Sequence, residues 1–178
     1  EKLEKNLKSI EIFLDEEEKK MVYNWILKTM KSEQGKNVQT TLLYKMSAHG
    51  NSSSNFHNYC NSKGPTLSLI RTTKGYRFGG YTTVSWGSRG SYVSDPNAFI
   101  FSLEFKEKYI SNDGENAIYD DGSYGPSFGS GSDFRIANQC NNNYSSICNY
   151  PYNYYGTRAR GLTGGVYQFK VSEIEVYK

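Results

Sequence analysis

The chain has 178 residues, a mass of 20.3 kDa and a formal net charge of +3 from 21 basic and 18 acidic residues, the size of one domain that builds its core without metal or disulfide staples. No block of like charge is long enough to read as a nucleic-acid or membrane tail, and no apolar run approaches the roughly 18 residues that span a bilayer. Sixteen tyrosines and 17 glycines favour strands and turns over a helical bundle.

The first residue is Glu1 and not methionine, which leads us to expect a larger protein with upstream domains. Leu3, Leu7, Ile10 and Leu14 recur at steps of four, three and four, an amphipathic seam. Residues 1–14 are either the tail of a coiled coil or a linker that packs on the domain, and the domain proper is expected over 15–178. Asp15 with Glu18 resembles a capping box. Acids at Glu16 to Glu18 and lysines at Lys28 and Lys31 suit a helix dipole. A helix from Glu16 to Lys31 follows, with Met21, Val22, Trp25, Ile26 and Met30 as its apolar stripe and the polar stretch Ser32 to Asn37 as its end.

Strand signals begin at Thr41 to Met46 and continue at Thr66 to Thr72, Tyr76 to Val84 and Ala98 to Phe105. Ser54 to Cys60 reads as a short serine-capped helix with Phe56 and Tyr59 facing inward. Thr73-Lys74-Gly75 reads as a hairpin turn. Phe99, Phe101, Leu103 and Phe105 alternate with Ile100, Ser102 and Glu104, so one face of a core strand is wholly apolar. Between Gln139 and Gly161 asparagine, tyrosine, serine and proline dominate without an apolar period, which predicts a long surface loop held by aromatics. Phe169 and Val171 share one phase while Ile174 and Val176 share the other. A period of two cannot change phase without an extra residue, so a bulge is expected near Ser172 and Glu173.

The patterns that could carry chemistry are weak. Cys60, Cys140 and Cys148 are odd in number and fit no disulfide framework, which points to a reducing compartment. Asn51-Ser52-Ser53 and Asn143-Tyr144-Ser145 match the glycosylation pattern, as chance allows in an asparagine-rich chain. His57 and Cys60 are spaced for two metal ligands but have no second pair. Neither His49 nor His57 lies in a nucleophile motif. Lys74 to Tyr81 resembles an RNA-recognition pattern, yet Arg77 stands where a small residue is wanted and Gly79 where a β-branched one is. Gly79-Gly80 then reads as a glycine pair that admits a close neighbour. Tyr124-Gly125-Pro126-Ser127-Phe128-Gly129-Ser130-Gly131-Ser132-Asp133 lacks the lysine and helix of a phosphate loop. It reads instead as a tight glycine crossing, with Tyr124 and Phe128 anchoring the turn in the core. We expect no enzyme, cofactor, metal or nucleic-acid partner. The expected partner surface is Glu173 and Glu175, set outward by alternation with Ile174 and Val176, together with the loop residues Gly129, Gly131 and Asp133.

Taken in order, Thr41-Leu42-Leu43-Tyr44, Gly64-Pro65-Thr66-Leu67, Gly75 to Tyr81 with Ser85-Trp86, Ala98 to Leu103, Tyr124 to Gly131 and Phe169 to Tyr177 resemble the TLDc domain. Ser9 to Trp25 resembles that family's opening helix. The resemblance covers Ser9 to Lys178; Ser130 and Ser132 interrupt the glycine run, and the Gln139 to Gly161 stretch is long. It implies an α+β, β-rich fold, two antiparallel sheets forming a β-sandwich with peripheral short helices, and no catalytic site. It further implies a C-terminal module of a larger protein, linked to oxidative-stress resistance and to regulation of the V-type ATPase through its V1 sector. Such a module is cytoplasmic and at most peripheral to an acidic organelle membrane. The alternative is a structural interaction module in a large cytoskeletal or ciliary assembly.

Overall fold

The structure is a computed structural model that describes residues 13–30, 40–111, 114–149, 154–155 and 159–178. Helix α1 (Glu16–Thr29) opens on the expected capping box: Asp15 accepts from the Glu18 N–H at 2.8 Å while Glu18 accepts from the Asp15 N–H at 3.0 Å. The helix ends at Met30, whose N–H donates to the Ile26 carbonyl; the polar stretch beyond it lies outside the described residues, as do Leu3, Leu7 and Ile10. Phe13 and Leu14 are buried. The buried stripe runs through Val22, Tyr23, Ile26 and Leu27, leaving Met30 exposed and Met21 and Trp25 at the margin. Glu18 fixes this rotation, because it shares a face with Val22 and Ile26 and is itself gripped from the sheet.

Thirteen strands follow among the described residues: β1 (Leu42–Lys45), β2 (Thr66–Thr72), β3 (Arg77–Thr82), β4 (Ser91–Val93), β5 (Phe99–Ser102), β6 (Glu107–Ser111), β7 (Ile118–Asp120), β8 (Tyr124–Phe128), β9 (Phe134–Ala137), β10 (Ser146–Ile147), β11 (Tyr154–Tyr155), β12 (Gln168–Phe169) and β13 (Val171–Tyr177). They form a seven-stranded sheet, β1-β13-β2-β3-β5-β6-β11, and a six-stranded sheet, β12-β10-β9-β8-β7-β4. Every pairing between these strands is antiparallel. Short helices α2 (Met46–His49) and α3 (Ser53–Cys60) follow β1, and a 3-10 turn spans Ala159–Thr163. The expected β-sandwich with peripheral helices is the fold.

Alternation explains the two cores. Ile70, Phe78, Ile100, Ile174 and Val176 face Ile118, Phe128, Phe134 and Ile136 of the other sheet. Leu67, Leu69, Tyr81, Phe99, Phe101 and Tyr177 face α1. The seven-stranded sheet is thus covered on both sides, and its central strands are apolar on both faces. Trp25 joins the second core with its ring 5.8 Å from Phe101 and 6.5 Å from Phe99. Gly79 and Gly80 behave as the spacing predicts. A Cβ on Gly80 would lie 2.6–2.8 Å from three atoms of the Phe128 ring, and one on Gly79 would strike the Ser68 carbonyl. Glycine lets the two sheets close over aromatic rings.

Strand β2 has the expected bounds, and the turn after it closes with Gly75 at φ +89 and the Thr72 N–H donating to the Tyr76 carbonyl at 2.9 Å. Strand β5 is shorter than expected. The chain turns after Ser102, with the Phe105 N–H on the Ser102 hydroxyl and Lys106 at φ +52, so Phe105 leaves the core face and is 38% exposed. In α3 Ser52 caps the helix and Phe56 is buried, but Tyr59 is 42% exposed and stacks on His49 at 4.1 Å. Residues 139–161 are more than a surface loop. They carry β10 and β11, and Cys140, Cys148 and Tyr154 are buried, the Tyr154 hydroxyl donating to the Ala117 carbonyl at 2.8 Å. Near the end of the chain the register of β13 against β2 shifts between Val171 and Glu173, as the phase change requires.

Candidate functional site

The glycine segment is the β8–β9 hairpin. Gly129 at φ +83, Gly131 at φ +69 and Ser132 at φ +67 reverse the chain. A Cβ on Gly129 would strike the Asp133 carboxylate. Asp133 is buried and accepts from the Tyr154 N–H at 3.3 Å, so it organises the interior. Asn149 donates its side-chain amide to the Gly131 carbonyl and its backbone N–H to the Ser132 carbonyl, both at 3.2 Å. Gly131 itself is exposed, and its N–H reaches the Tyr92 hydroxyl at 3.4 Å.

The outward placement of Glu173 and Glu175 is overturned. They are only 6% and 1% exposed. β13 lies between β1 and β2, and the turn α2 folds back over it. Glu173 accepts from the Ser47 N–H at 3.0 Å and so anchors the start of α2. Glu175 takes the Lys45 ammonium at 2.9 Å and the Tyr177 hydroxyl at 2.7 Å. Both carboxylates are hydrogen-bonded within their own domain, in keeping with the cost of burying unpaired charge. They belong to the seven-stranded sheet, whereas the hairpin belongs to the six-stranded one.

A row that sequence reasoning missed borders the hairpin. On the outer face of the six-stranded sheet Tyr92 of β4, Tyr119 of β7 and Tyr124 of β8 stand side by side, with ring centroids 4.8 and 6.0 Å apart. The Arg135 guanidinium of β9 lies 4.3 Å from the Tyr124 ring, and its Nε is buried without a hydrogen-bond partner among the described residues. Alternation puts them there, since Ile118, Phe134 and Ile136 take the inner face. Only the β-pairing, invisible in local spacing, brings the four together. Tyr92 is 43% exposed. The Asp121 carboxylate is held below its ordinary range chiefly by the Ser123 backbone N–H, and its hydrogen bond to the Tyr119 hydroxyl keeps that phenol protonated.

The groups that could serve catalysis are committed elsewhere. His57 bonds Asn61 Oδ1 at 2.7 Å and lies 3.0 and 2.9 Å from the carbonyls of Asp121 and Tyr124. His49 accepts the Lys45 N–H at 3.0 Å. Cys60, Cys140 and Cys148 are buried free thiols, each pushed up to about 12 by burial, the reverse of an activated nucleophile. Among the described residues no group of three or more His, Cys, Asp or Glu is placed to hold a metal ion, and no helix is long and apolar enough to cross a membrane. An apolar groove of about 210 Å³ lies between α1 and strands β2, β3 and β13, lined by Ile26, Met30, Leu67, Tyr81 and Tyr177.

Comparison with known proteins places this architecture. Over 70 residues, 39% of this chain and 16% of that protein, it is 34% identical to MTOR-associated protein MEAK7 of Danio rerio. It is 35% identical to TBC1 domain family member 24 of Xenopus tropicalis over 72 residues, 37% of this chain and 13% of that protein. The aligned stretches thus span less than a fifth of these relatives' length. The TLDc domain family matches far more of the chain, residues 7–178. With that match extending from before α1 through the last strand of the sandwich, the chain belongs to the TLDc domain family.

Proposed function

We propose that this domain is a non-catalytic regulatory binding module that docks on the V1 sector of the V-type ATPase, on the cytoplasmic side of an acidic organelle. The observation that supports a binding role best is the row Tyr92, Tyr119, Tyr124 and Arg135 beside Gly131, with Tyr92 exposed and the other three half-buried. Tyrosine and arginine are the residues that concentrate binding energy at protein interfaces. An arginine preorganised over a ring loses little freedom on capture. The hairpin loop from Gly129 to Asp133 is the adjoining edge, with Gly131 as its exposed point. Glu173 and Glu175 contribute by holding α2 and β1 in place.

The domain should copurify with V1 subunits and change the V1 ATPase rate. Tyr92→Ala with Arg135→Ala should weaken that association by tenfold or more, on the order expected of two interface anchors, while the melting temperature stays within a few degrees. A folded domain that neither binds V1 nor alters its rate ends this proposal. The MEAK7 relatives are named for association with MTOR, which favours a second reading in which the same row engages a signalling assembly. A pull-down of the full-length protein, read for both V1 subunits and MTOR, separates the two.

A further inference from the structure

Charge is nearly balanced along the whole chain but unevenly spread. No Asp or Glu occurs from Gln34 to Ser94, and none from Phe134 to Ser172. The fold brings these two acid-free stretches together at one end of the sandwich. There the β2–β3 turn meets the crossing from β12 to β13, and the Thr73 N–H donates to the Lys170 carbonyl at 3.0 Å. A cleft of about 90 Å³ opens at this junction, lined among others by Thr72, Thr73, Lys74, Tyr144, Gln168 and Lys170. Every lining residue comes from the two acid-free stretches.

The cleft holds two cations, Lys74 and Lys170. Among the described residues no carboxylate lies within ion-pair distance of Lys74 or Lys170; the Lys170 ammonium instead sits 4.8 Å from the centre of the Tyr144 ring. Tyr144 is exposed. The nearest acid in sequence, Glu173, is buried and already bonded to Ser47. The walls are fixed by the Thr163 hydroxyl on the Val166 carbonyl at 2.6 Å and by the Thr72 hydroxyl, which accepts the Tyr76 N–H at 3.1 Å.

We propose that this cleft binds an acidic segment of a partner protein, seating one carboxylate side chain between Lys74 and Lys170, with Tyr144 covering its aliphatic stem. The size and charge favour this occupant. A cleft this small takes a single side chain, whereas a nucleic acid needs a track of cations along its phosphates and an anionic bilayer a cluster of about four to eight basic residues. The site rests on the reading of the domain as a protein-binding module, not on the identity of V1 as the partner. It lies on different elements from the Tyr92 to Arg135 row.

The test uses the full chain and a fluorescent ten-residue oligo-glutamate peptide, with oligo-glutamine, single-stranded DNA and vesicles containing phosphatidylserine as comparators. Binding should be specific to oligo-glutamate and weaken with salt, because the cations are partly exposed. Lys74→Glu with Lys170→Glu should reduce affinity roughly tenfold or more, since like charges replace attraction. Lys63→Glu, at the opposite end of β2, should change it less than about twofold. Equal loss in the Lys63 variant, or equal binding of DNA or vesicles, overturns the proposal in favour of a diffuse polyanion surface. Lys74→Gln with Lys170→Gln keeps the test readable should the reversals unfold the domain: unchanged oligo-glutamate affinity in this folded variant also overturns it. V1 binding measured on the same samples distinguishes failure of this cleft from failure of the V1 reading.

Discussion

The two faces of the seven-stranded sheet are closed by different means. On the inner face aromatic rings meet edge to face: Phe78 and Phe134 at 5.2 Å, Trp86 and Phe128 at 5.9 Å, with the Trp86 N–H on the Thr66 hydroxyl at 3.0 Å. The outer face is closed chiefly by α1. Its polar hold is a fork in which Arg77 donates to both Glu18 oxygens at 2.8 and 2.9 Å, with a further nitrogen on Glu104 at 3.2 Å. The inner face is fixed by shape, so damage there unfolds the sandwich; the outer face is fixed by a clasp, so damage there releases a helix.

The sharpest way to break this contrast is Trp86→Ala, which empties a large buried site and strands the Thr66 hydroxyl. It should cost about 3–5 kcal/mol in denaturant unfolding, and a loss below about 1 kcal/mol would show that the inner face adapts. Gly80→Ala should cost about 1–3 kcal/mol by overpacking against Phe128. The loss should shrink when Phe128→Leu is added, a coupling that a double-mutant cycle reads directly. Glu18→Ala removes both the clasp and half of the capping box. Because Arg77 is partly exposed and keeps Glu104, we expect about 1–2 kcal/mol. Its signature is local: amide exchange should accelerate from Val22 to Leu27 and remain unchanged from Phe99 to Ser102.

The thiols sharpen the same contrast near neutral pH, since Cys60, Cys140 and Cys148 all belong to the inner core. Burial raises each to about 12 in the folded chain, so they stay protonated and should resist iodoacetamide at pH 8 until the sandwich unfolds. The folded state then holds protons that the unfolded state releases. Stability is fully present below the unfolded thiol value of about 8.5 and falls as pH rises from there toward 12. A melting temperature that climbs between pH 9 and 10.5 would contradict the burial of these groups. The smallest effect belongs to the exposed pair of Lys106 and Glu17: Glu17→Gln should leave the unfolding midpoint unchanged.

Much of the fold was legible where local rules act alone. The Asp15–Glu18 box, the bounds of β2, the Thr73-Lys74-Gly75 turn and the glycine pair depend on neighbours within a few residues or on steric need. The bulge at β13 was legible because a two-residue period cannot hide an insertion. The site was less so. Alternation says that Glu173 and Glu175 share a face, but it cannot say that α2 and Lys45 will cover it. Phe105 follows a turn made by Ser102 and Lys106, which an apolar run of four conceals. Tyr154 sits in a stretch with no period because β10 and β11 are two residues each, too short to show one. The Tyr92 to Arg135 row exists only through pairing between strands far apart in sequence.

Strand β13 also sets the order in which the domain can be completed. β1 pairs with β13, and Lys45 meets Glu175 across 130 positions of chain. At translation speeds of about 5–20 residues per second, β1 waits on the order of ten seconds for its partner. During that interval the β2–β3 hairpin can form, yet its outer edge stays open. A deletion of Val171 to Tyr177 would remove only the closing strand, but it would part β1 from β2 and leave a chain for quality control to degrade.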